Sequence, residues 1–366
     1  MNNNPVIIVG AGLSGLRAAS LLAAEGINCK VFECRDRIGG RVLSSYDVNN
    51  PDLGKFDLGP TWFWPEVDST VTKLVKKLNL ETFSQYSKGA IILERTPNSP
   101  PERYVLPENS VPKSMRFKGG VESLINALAQ TIPPGILELN SRVTSIQLNK
   151  SDVITVLAEL ADGRRKKLTA SAVILALPPR IVARSIEFSP SLPLNISNEL
   201  INKPTWMAGQ AKIIMIYDSP FWRDAGLSGF VSSWVGPLQE IHDASPETGS
   251  GALFGFFRIP AKVRRELGKE KISKLVIAQL VKLFGSSAQN VSSILYKDWS
   301  IDSETAIEED SEPIGNHPVY GPTIITGEWE KKIIFAGTEA SSEFGGHLEG
   351  ALRSAEQAVL EISNLK

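Results

Sequence analysis

The pattern of apolar and polar positions at the start of the chain predicts a β-α-β unit. Residues 6–9 form a short apolar run closed by a glycine, which is typical of a buried strand. Alanine and leucine then recur at helical spacing over residues 13–25, and residues 27–33 have the pattern of a second strand. Because crossover connections of this kind join parallel strands, we expect the two strands to lie parallel in one sheet.

Later segments divide between two kinds of pattern. Residues 143–160 and the turn that follows predict a hairpin or meander, and residues 172–177 predict another buried strand. Between 192 and 296 longer strand patterns alternate with amphipathic helices, which indicates a second domain. A strand pattern at 332–336 and a helix pattern at 348–362 repeat the organisation of the N-terminal unit. We therefore expect the last segment to return to the first domain.

The remaining stretches add helices and coil. Helix patterns occur at 67–78 and 119–129, whereas residues 34–64 are rich in glycine and predict an ordered coil. The stretch 98–112 contains four prolines and predicts no long regular element. The basic run 164–167 follows a turn, and we interpret it as the solvated end of a hairpin.

Composition narrows the class of protein. A length of 366 residues allows two or three domains. The net charge of −1 and the absence of a long like-charged block argue against a nucleic-acid partner. The sequence contains no apolar run of about 18 residues, so it predicts no membrane span. Its start lacks a signal-peptide pattern, and its only cysteines, Cys29 and Cys34, are too few for a disulfide framework. We expect a cytoplasmic protein.

A glycine motif lies between the first predicted strand and helix. Gly10, Gly12 and Gly15 have the spacing of the dinucleotide-binding fingerprint, and Glu33 ends the second strand 18 residues after Gly15. The glycines allow a tight turn and the close approach of a pyrophosphate to backbone N–H groups at the helix N-terminus. The acid is placed to accept hydrogen bonds from ribose hydroxyls. The pattern therefore predicts a dinucleotide site.

Further motifs extend this site. Arg35, Arg37 and Arg41 lie beside Gly39 and Gly40, and such a segment suits a second clamp on the same pyrophosphate. Other motifs follow in order: Asp57-Leu58-Gly59-Pro60-Thr61, Phe117-Lys118-Gly119-Gly120, Arg142-Val143-Thr144-Ser145-Ile146, Leu175-Ala176-Leu177-Pro178-Pro179, Lys212 ahead of Pro220-Phe221-Trp222-Arg223, Phe335-Ala336-Gly337-Thr338-Glu339 and Glu349-Gly350-Ala351. With these motifs the sequence resembles the flavin-containing amine oxidase family, which includes the monoamine oxidases, polyamine oxidases and L-amino-acid oxidases.

This resemblance implies a fold and its division. We expect a two-domain α/β flavoprotein with a Rossmann-like, GR2-type FAD-binding domain and a smaller mixed α+β substrate domain. The expected FAD-binding domain is discontinuous and consists of residues 1–65, 117–188 and 318–366. The expected substrate domain consists of residues 66–116 and 189–317.

The resemblance also implies roles for residues around FAD. Glu33 would bind ribose, Arg35 and Arg41 the adenosine and pyrophosphate side, and Val143 the adenine. Residues 59–62 would run along the isoalloxazine ring, and Trp299 would pack by the flavin, although an ordinary core aromatic is the alternative. The cofactor-binding residues implied in this way are Gly10, Gly12, Leu13, Ser14, Gly15, Glu33, Arg35, Gly40, Arg41, Gly59, Pro60, Thr61, Trp62, Val143, Trp299, Gly337, Glu339 and Leu348.

Lys212 is the candidate catalytic residue. It interrupts the otherwise apolar run 211–217, where a lysine is costly to bury without a partner. The alternative is a charge on an edge strand that discourages aggregation. The resemblance favours the first interpretation, because this position matches the family's lysine that holds a water next to flavin N5.

Two departures from the family pattern concern the flavin face. Covalent members attach FAD through a cysteine in the segment that matches 315–321, which contains none here, so we expect non-covalent FAD. The family's pair of aromatic side chains matches His347 and a position near His317, which we assign with Trp62 to substrate binding. A histidine there titrates near neutrality. His242 lies in a polar segment and is interpreted as a surface residue.

The implied activity is oxidation of a C–N bond. Hydride transfer from the carbon beside the nitrogen to flavin N5 would give an imine for hydrolysis, with O₂ as the electron acceptor and a small amine as substrate. One alternative is a related C–C desaturase or protoporphyrinogen-oxidase-like enzyme, and another is an FAD-bound protein without turnover. The residues indicate no metal ligands, and the sequence leaves the amine and the oligomeric state open.

Overall fold

The computed structural model describes residues 4–107, 110, 112–247, 249–312 and 314–365. The first sheet is parallel and has the strand order β20-β13-β1-β2-β9. Its strands are β1 (Val6–Val9), β2 (Cys29–Phe32), β9 (Leu137–Glu138), β13 (Ala172–Leu175) and β20 (Ile333–Phe335). The expected parallel pairing of the first two strands and the return of the last segment to this sheet are both observed.

The parallel sheet is covered on both faces because its side chains alternate between them. Val6 and Ile8 pack with three helices, α1 (Leu13–Ala24), α3 (Glu122–Ala129) and α8 (Leu348–Ser363). Ile7 and Val9 pack with the opposite layer, which is a small sheet of order β12-β11-β10-β14. Its strands are β10 (Ser141–Leu148), β11 (Ile154–Leu160), β12 (Arg165–Ala170) and β14 (Glu187–Ser189).

A long mixed sheet forms the second layered unit, with the order β19-β15-β18-β17-β16-β6-β7. Its strands are β6 (Ala90–Glu94), β7 (Glu102–Tyr104), β15 (Ala211–Tyr217), β16 (Leu227–Ser233), β17 (Leu238–Asp243), β18 (Gly251–Phe257) and β19 (Ser293–Asp298). One face, with Ile213 and Met215, packs against α7 (Ala261–Phe284). Lys212 and Ile214 belong to the other face.

Shorter elements connect these layers. They are β3 (Ser44–Ser45), β4 (Phe56–Asp57), α2 (Ser69–Lys77), β5 (Thr82–Ser84), β8 (Met115–Phe117), α4 (Pro179–Ser185), α5 (Leu194–Asn202) and α6 (Phe221–Asp224). Strands β3 and β4 pair with each other, as do β5 and β8. The side chains of Val71, Leu74 and Val75 on α2 pack in the core of α1 and α8.

Some element boundaries differ from the sequence predictions. The hairpin pattern at 143–160 belongs to a three-stranded meander, and the basic run 164–167 continues into β12. In the region 192–296, where amphipathic helices are predicted, helix α7 begins at Ala261 and is kinked at Gly268, whose φ is 73°. Within 98–112 the structure contains the short strand β7, while positions 108, 109 and 111 lie outside the described residues. In the part of the chain described, no helix combines the length and apolarity needed to cross a membrane.

Candidate functional site

The glycine motif forms the turn between β1 and α1. Gly10 has φ +101°, and a Cβ there would lie 2.8 Å from the Ala176 carbonyl oxygen. A Cβ on Gly15 would lie 1.9 Å from the Gly10 carbonyl oxygen, so tight packing between turn and helix requires this glycine. The nearest atom to a Cβ on Gly12 would be 3.9 Å away. A side-chain atom at Gly12 would thus meet only the Gly39 backbone, at ordinary van der Waals distance, and this is where the fingerprint leaves room for a pyrophosphate.

Leu13 and Ser14 contribute to this turn through their backbone. Leu13 is buried in the helix core, and Ser14 Oγ lies 3.3 Å from Ser354 Oγ on α8. Their side chains are thus committed to packing between α1 and α8. What they offer to a ligand is the N–H groups of the first turn of a helix, which favour an anion.

Glu33 follows β2 and is buried beside the turn. Its carboxylate accepts hydrogen bonds from the backbone N–H groups of Ala11 at 2.7 Å and Arg35 at 3.0 Å. These two bonds fix the carboxylate against the glycine turn. A fixed acid in this position suits hydroxyl donors of a ribose and repels an additional phosphate.

Two acidic residues from a distant segment, Asp302 and Glu304, contact the residues that follow Glu33. Arg35 donates to Asp302 Oδ1 at 2.6 Å, and Cys34 Sγ donates to Glu304 Oε2 at 3.0 Å. Arg142 forms an ion pair with Glu304 as well. The adjoining Val143 is buried in the core between the two sheets. Asp302 and Glu304 were not predicted from the sequence, because no local pattern signals a contact made across more than 150 residues.

Arg41 and Glu339 form a bidentate pair. The guanidinium donates to both carboxylate oxygens of Glu339, at 2.5 and 3.0 Å, and the carboxylate is fully buried. Burial lowers the pKa of Arg41, but its pairing with Glu339 outweighs this effect and raises the pKa above the ordinary value. Gly40 lies against Gly12, since a Cβ on Gly40 would be 3.3 Å from the Gly12 Cα. The backbone next to Arg41 therefore lies against the glycine turn.

The segment 59–62 runs beside Lys212. Lys212 Nζ donates to the Gly59 carbonyl oxygen at 3.0 Å and to Thr61 Oγ1 at 2.5 Å. A Cβ on Gly59 would lie 2.1 Å from the Arg41 carbonyl oxygen, so the glycine is required by the chain's own backbone. Pro60 is half-buried between these two contacts.

Lys212 itself is buried in β15, with an exposed fraction of only 2%. Burial lowers the pKa of Lys212 to about 7, Asp57 opposes this shift and Arg116 adds to it. The ammonium lies 3.9 Å from the centroid of the Phe254 ring. The position in the interior of the long sheet, between β18 and β19, excludes the edge-strand interpretation.

Trp299 follows β19 and packs against the segment that contains Leu58 and Gly59. Its Nε1–H donates to the Leu58 carbonyl oxygen at 3.0 Å, and Lys297 Nζ lies 4.6 Å from the indole centroid. The ring is buried. Trp299 thus supports the segment that also contacts Lys212.

The two histidines assigned to substrate binding lie together. The His317 and His347 rings are stacked, with centroids 5.3 Å apart and planes 10° apart, and Trp206 packs on His317 at 4.7 Å. Burial lowers the pKa of His347, and His317 lowers it further. Leu348 is buried behind them at the start of α8. Near them, a Cβ on Gly337 would lie 2.9 Å from the Leu177 carbonyl oxygen, so close packing requires glycine there too.

The interpretation of His242 as a surface residue was wrong. Its ring stacks on Phe254 at 5.1 Å and meets the edge of Trp62 at 4.7 Å. Its Nε2 lies 2.9 Å from Glu240 Oε1. Trp62 donates from Nε1 to Gln85 Oε1 at 2.8 Å, which holds the indole over the sheet. The polar face of β17 is covered by this segment, and the polar sequence pattern did not predict that cover.

The fold and the glycine turn define a nucleotide-binding class of protein. The family described as NAD(P)-binding Rossmann-like domain matches residues 8–78. The family described as flavin containing amine oxidoreductase matches residues 86–363. Since the second match covers most of the chain, the chain belongs to the flavin containing amine oxidoreductase family.

Individual relatives agree with this assignment. The chain is 24% identical to amine oxidase [flavin-containing] B of Sus scrofa, over 98% of this chain and 85% of the relative. It is 25% identical to amine oxidase [flavin-containing] A of the same species, with the same coverage. The prediction of the family is confirmed, and the protein is an FAD-dependent oxidoreductase.

Solved structures share the fold. A putrescine oxidase bound to putrescine superposes with a TM-score of 0.80 at 21% identity, covering 99% of both chains. The cyclohexylamine oxidase from Brevibacterium oxydans has a TM-score of 0.79 at 18% identity, also with 99% of both chains covered. The α/β fold class predicted from the sequence is confirmed.

The residues present fit FAD. The room at Gly12, the helix N-terminus behind it and the nearby Arg41 suit a pyrophosphate. Glu33 suits a ribose without a 2′-phosphate. These observations come from the chain's own geometry and agree with the cofactor of the family.

Proposed function

We propose that the protein oxidises the C–N bond of a small amine. The observation that carries this proposal is the buried Lys212, which is held by Gly59 and Thr61 beside an aromatic surface. The match to the flavin containing amine oxidoreductase family favours this activity over that of a desaturase or of a binding module without turnover. FAD, when bound, supplies the acceptor for a hydride from the carbon beside the nitrogen.

The chain's own residues would hold the cofactor and the substrate. The amides of the turn from Gly10 to Gly15 would bind the pyrophosphate, Glu33 the ribose, and Arg41 with Glu339 the adjoining polar groups. Val143 would lie near the adenine. Residues 59–62 with Trp299 would line the flavin ring.

Lys212 would hold a water molecule beside that ring. Two hydrogen bonds fix its Nζ, and a pKa of about 7 leaves the amine neutral for much of the time near neutral pH. A neutral amine can accept a hydrogen bond from water as well as donate one. Trp62, His317 and His347 would bind the substrate as aromatic and polar walls.

We further propose the domain division that the resemblance implies. The strands of the long sheet fall inside 66–116 and 189–317, and the strands of the parallel sheet fall inside 1–65, 117–188 and 318–366. Helices α2 and α5 would be parts of the substrate domain that contact the FAD-binding core, because apolar side chains of both helices pack there.

We propose that FAD is bound non-covalently. Residues 315–321 contain no cysteine, and the chain's two cysteines, Cys29 and Cys34, lie in and just after β2. Acid precipitation should then release all yellow colour into the supernatant, and colour retained in the pellet would contradict the proposal. Both thiols are free, which fits the expected reducing cytoplasm.

The test of the proposed activity is anaerobic mixing with amines. Benzylamine, cyclohexylamine and putrescine are mixed separately with the purified yellow protein, and flavin absorbance is followed. At least one amine should bleach the oxidised flavin, and admission of O₂ should restore it with peroxide formed. Bleaching by none of them, or by a protoporphyrinogen instead, would overturn the proposal. Recovery only with another acceptor would identify a dehydrogenase.

A further inference from the structure

The face of the long sheet that carries Lys212 also carries a histidine and a carboxylate. Lys212 lies opposite Phe256 on β18, and Phe256 lies opposite Glu240 on β17. His242 lies opposite Phe254 on the same pair of strands. Since neighbouring strands are about 4.8 Å apart, the backbones at Lys212 and Glu240 are separated by roughly 10 Å.

Aromatic rings connect these groups. Phe254 contacts Lys212 Nζ, at 3.9 Å from its centroid, and stacks on His242 at 5.1 Å. Trp62, which directly follows the Thr61 that binds Lys212, packs on the other edge of His242. The Phe230 ring lies 5.1 Å from the His242 ring and completes this group of aromatic side chains. The imidazole is therefore held among aromatic side chains on the face of the sheet that carries Lys212.

The hydrogen bond to Glu240 fixes the tautomer of His242. Its donation lowers the pKa of Glu240, so the carboxylate is ionised and can only accept. We therefore assign the proton to Nε2, which leaves a lone pair on Nδ1. Among the residues that the structure describes, Nδ1 has no hydrogen-bond partner. An imidazole oriented by a carboxylate with its other nitrogen free is the arrangement of a general base.

We propose that the pair Glu240–His242 accepts the proton of an ammonium substrate and retains it while the amine occupies the site. This inference rests on the proposed function. An alkyl amine has a pKa near that of lysine, about 10.4, so it arrives as an ammonium ion. The N–H bond breaks, the proton binds His242 Nδ1, and the electron pair stays on the amine nitrogen. No oxidant or further reactant is needed.

One carboxylate lies against His242. Glu240 compensates the imidazolium charge, and its side chain is 44% exposed against 16% for His242, so solvent reaches the pair from one side. The other charged groups near β17 are already engaged. Asp243 pairs with Arg223, and Arg116 donates to the carbonyl oxygens of Ala244 and Ser245. Lys212 lies beyond the Phe254 ring, with its Nζ donating to Gly59 and Thr61.

The first test measures protons without turnover. The holoenzyme is titrated calorimetrically with tert-butylamine and α,α-dimethylbenzylamine, which lack a hydrogen on the carbon beside nitrogen, in buffers of different ionisation enthalpy. Near pH 8 the wild type should release close to no proton per bound amine. His242→Phe preserves the ring packing but has no base, so it should release about one. Equal release by both proteins would overturn the proposal.

The second test measures anaerobic flavin reduction against pH with the best reducing amine from the panel. Without a proton acceptor, the second-order rate constant should fall about tenfold for each pH unit below the amine's pKa. The second-order rate constant of the wild type should fall much less between about pH 9 and pH 7. His242→Phe should show the full fall, and Glu240→Gln an intermediate one. Glu102→Gln, an exposed carboxylate at the far edge of the same sheet, should match the wild type.

The possible results distinguish failure of the proton-acceptor role from failure of the proposed function. If no amine reduces the flavin, the proposed function fails and this inference fails with it. If amines reduce the flavin and His242→Phe keeps the wild-type pH profile, only the proton-acceptor role fails. If Lys212→Met alone shows the full fall, the proton goes to Lys212 and the assignment to His242 is overturned.

Discussion

Lys212 shows how the fold changes the chemistry of a single side chain. A lysine in water is a cation, but the interior of β15 disfavours the charged form and brings its pKa to about 7. The two oxygen acceptors, from Gly59 and Thr61, keep the group fixed. The same burial makes Lys212 costly to the fold at low pH and useful at the site.

Lys212→Met should separate these two effects. Methionine retains much of the apolar contact while deleting the amine, so FAD binding should survive. Flavin reduction or reoxidation should slow by about 10²–10³. Stopped-flow measurement of both half-reactions checks this prediction. Normal rates in both would contradict the proposed role of Lys212.

The stability of the apoprotein should depend on pH through the same residue. Between about pH 7 and pH 10.5 the unfolded chain binds a proton at Lys212 that the folded chain does not. Stability of the wild type should therefore rise with pH in this window, by at most about 1.4 kcal/mol per unit relative to Lys212→Met. Urea unfolding at several pH values measures the difference. Parallel curves for the two proteins would refute the shifted pKa.

Glu33→Gln tests the ribose site. A hydrogen bond from a hydroxyl to a carboxylate contributes about 1.5–3 kcal/mol, so the variant should bind FAD roughly 10-fold or more weakly. Glutamine keeps an oxygen acceptor for the Ala11 N–H, which preserves the turn. Glu356→Gln, which alters an ion pair with Arg17 on the helix surface, is the matched control. Fluorescence titration with FAD compares the three proteins, and equal affinity for all would argue against this role of Glu33.

At the scale of elements, the strand-turn-helix unit separates folding from cofactor binding. Gly15 is packed against backbone, whereas a Cβ on Gly12 would lie no closer than 3.9 Å to another atom, and its φ of −70° is one that alanine can adopt. Gly15→Ala should therefore destabilise the apoprotein by about 1–3 kcal/mol. Gly12→Ala should fold normally and bind FAD poorly. Thermal unfolding and FAD titration check both variants, and loss of stability in Gly12→Ala would contradict the room for a Cβ at this position.

Elements with local signals were predictable from the sequence. Strand β1, helix α1 and helix α8 follow from apolar periodicity and from glycines that mark the turns. The start of α7 was not predicted, because Gly268 and a charged run interrupt its pattern. Glu240 and His242 lie on either side of Ile241 in the sequence, so the alternation predicts that they share one face of the strand. The Trp62 segment that covers this face comes from 180 residues earlier, which no local pattern reports.

At the scale of the whole molecule, the site lies where the two sheet systems meet. Segments 34–64 and 299–305 carry contacts between them: Lys212 on the long sheet binds Gly59 and Thr61, and Arg35 after β2 binds Asp302. The glycine turn and the cost of burying Lys212 in an apolar strand could be predicted from the sequence, because their neighbours in the chain define them. The acids Asp302 and Glu304 could not, since their role depends on how the chain returns over the parallel sheet.

The central claim is that an amine is oxidised at the carbon beside its nitrogen. Anaerobic flavin reduction by an amine carrying deuterium on that carbon, compared with the unlabelled amine, tests it most directly. Flavin reduction should be slower with the labelled amine at saturating concentration, because the C–H bond breaks in this step. Equal rates of flavin reduction with the two amines, with the deuterium retained on that carbon in the product, would contradict this activity. No flavin reduction by either amine would contradict it as well.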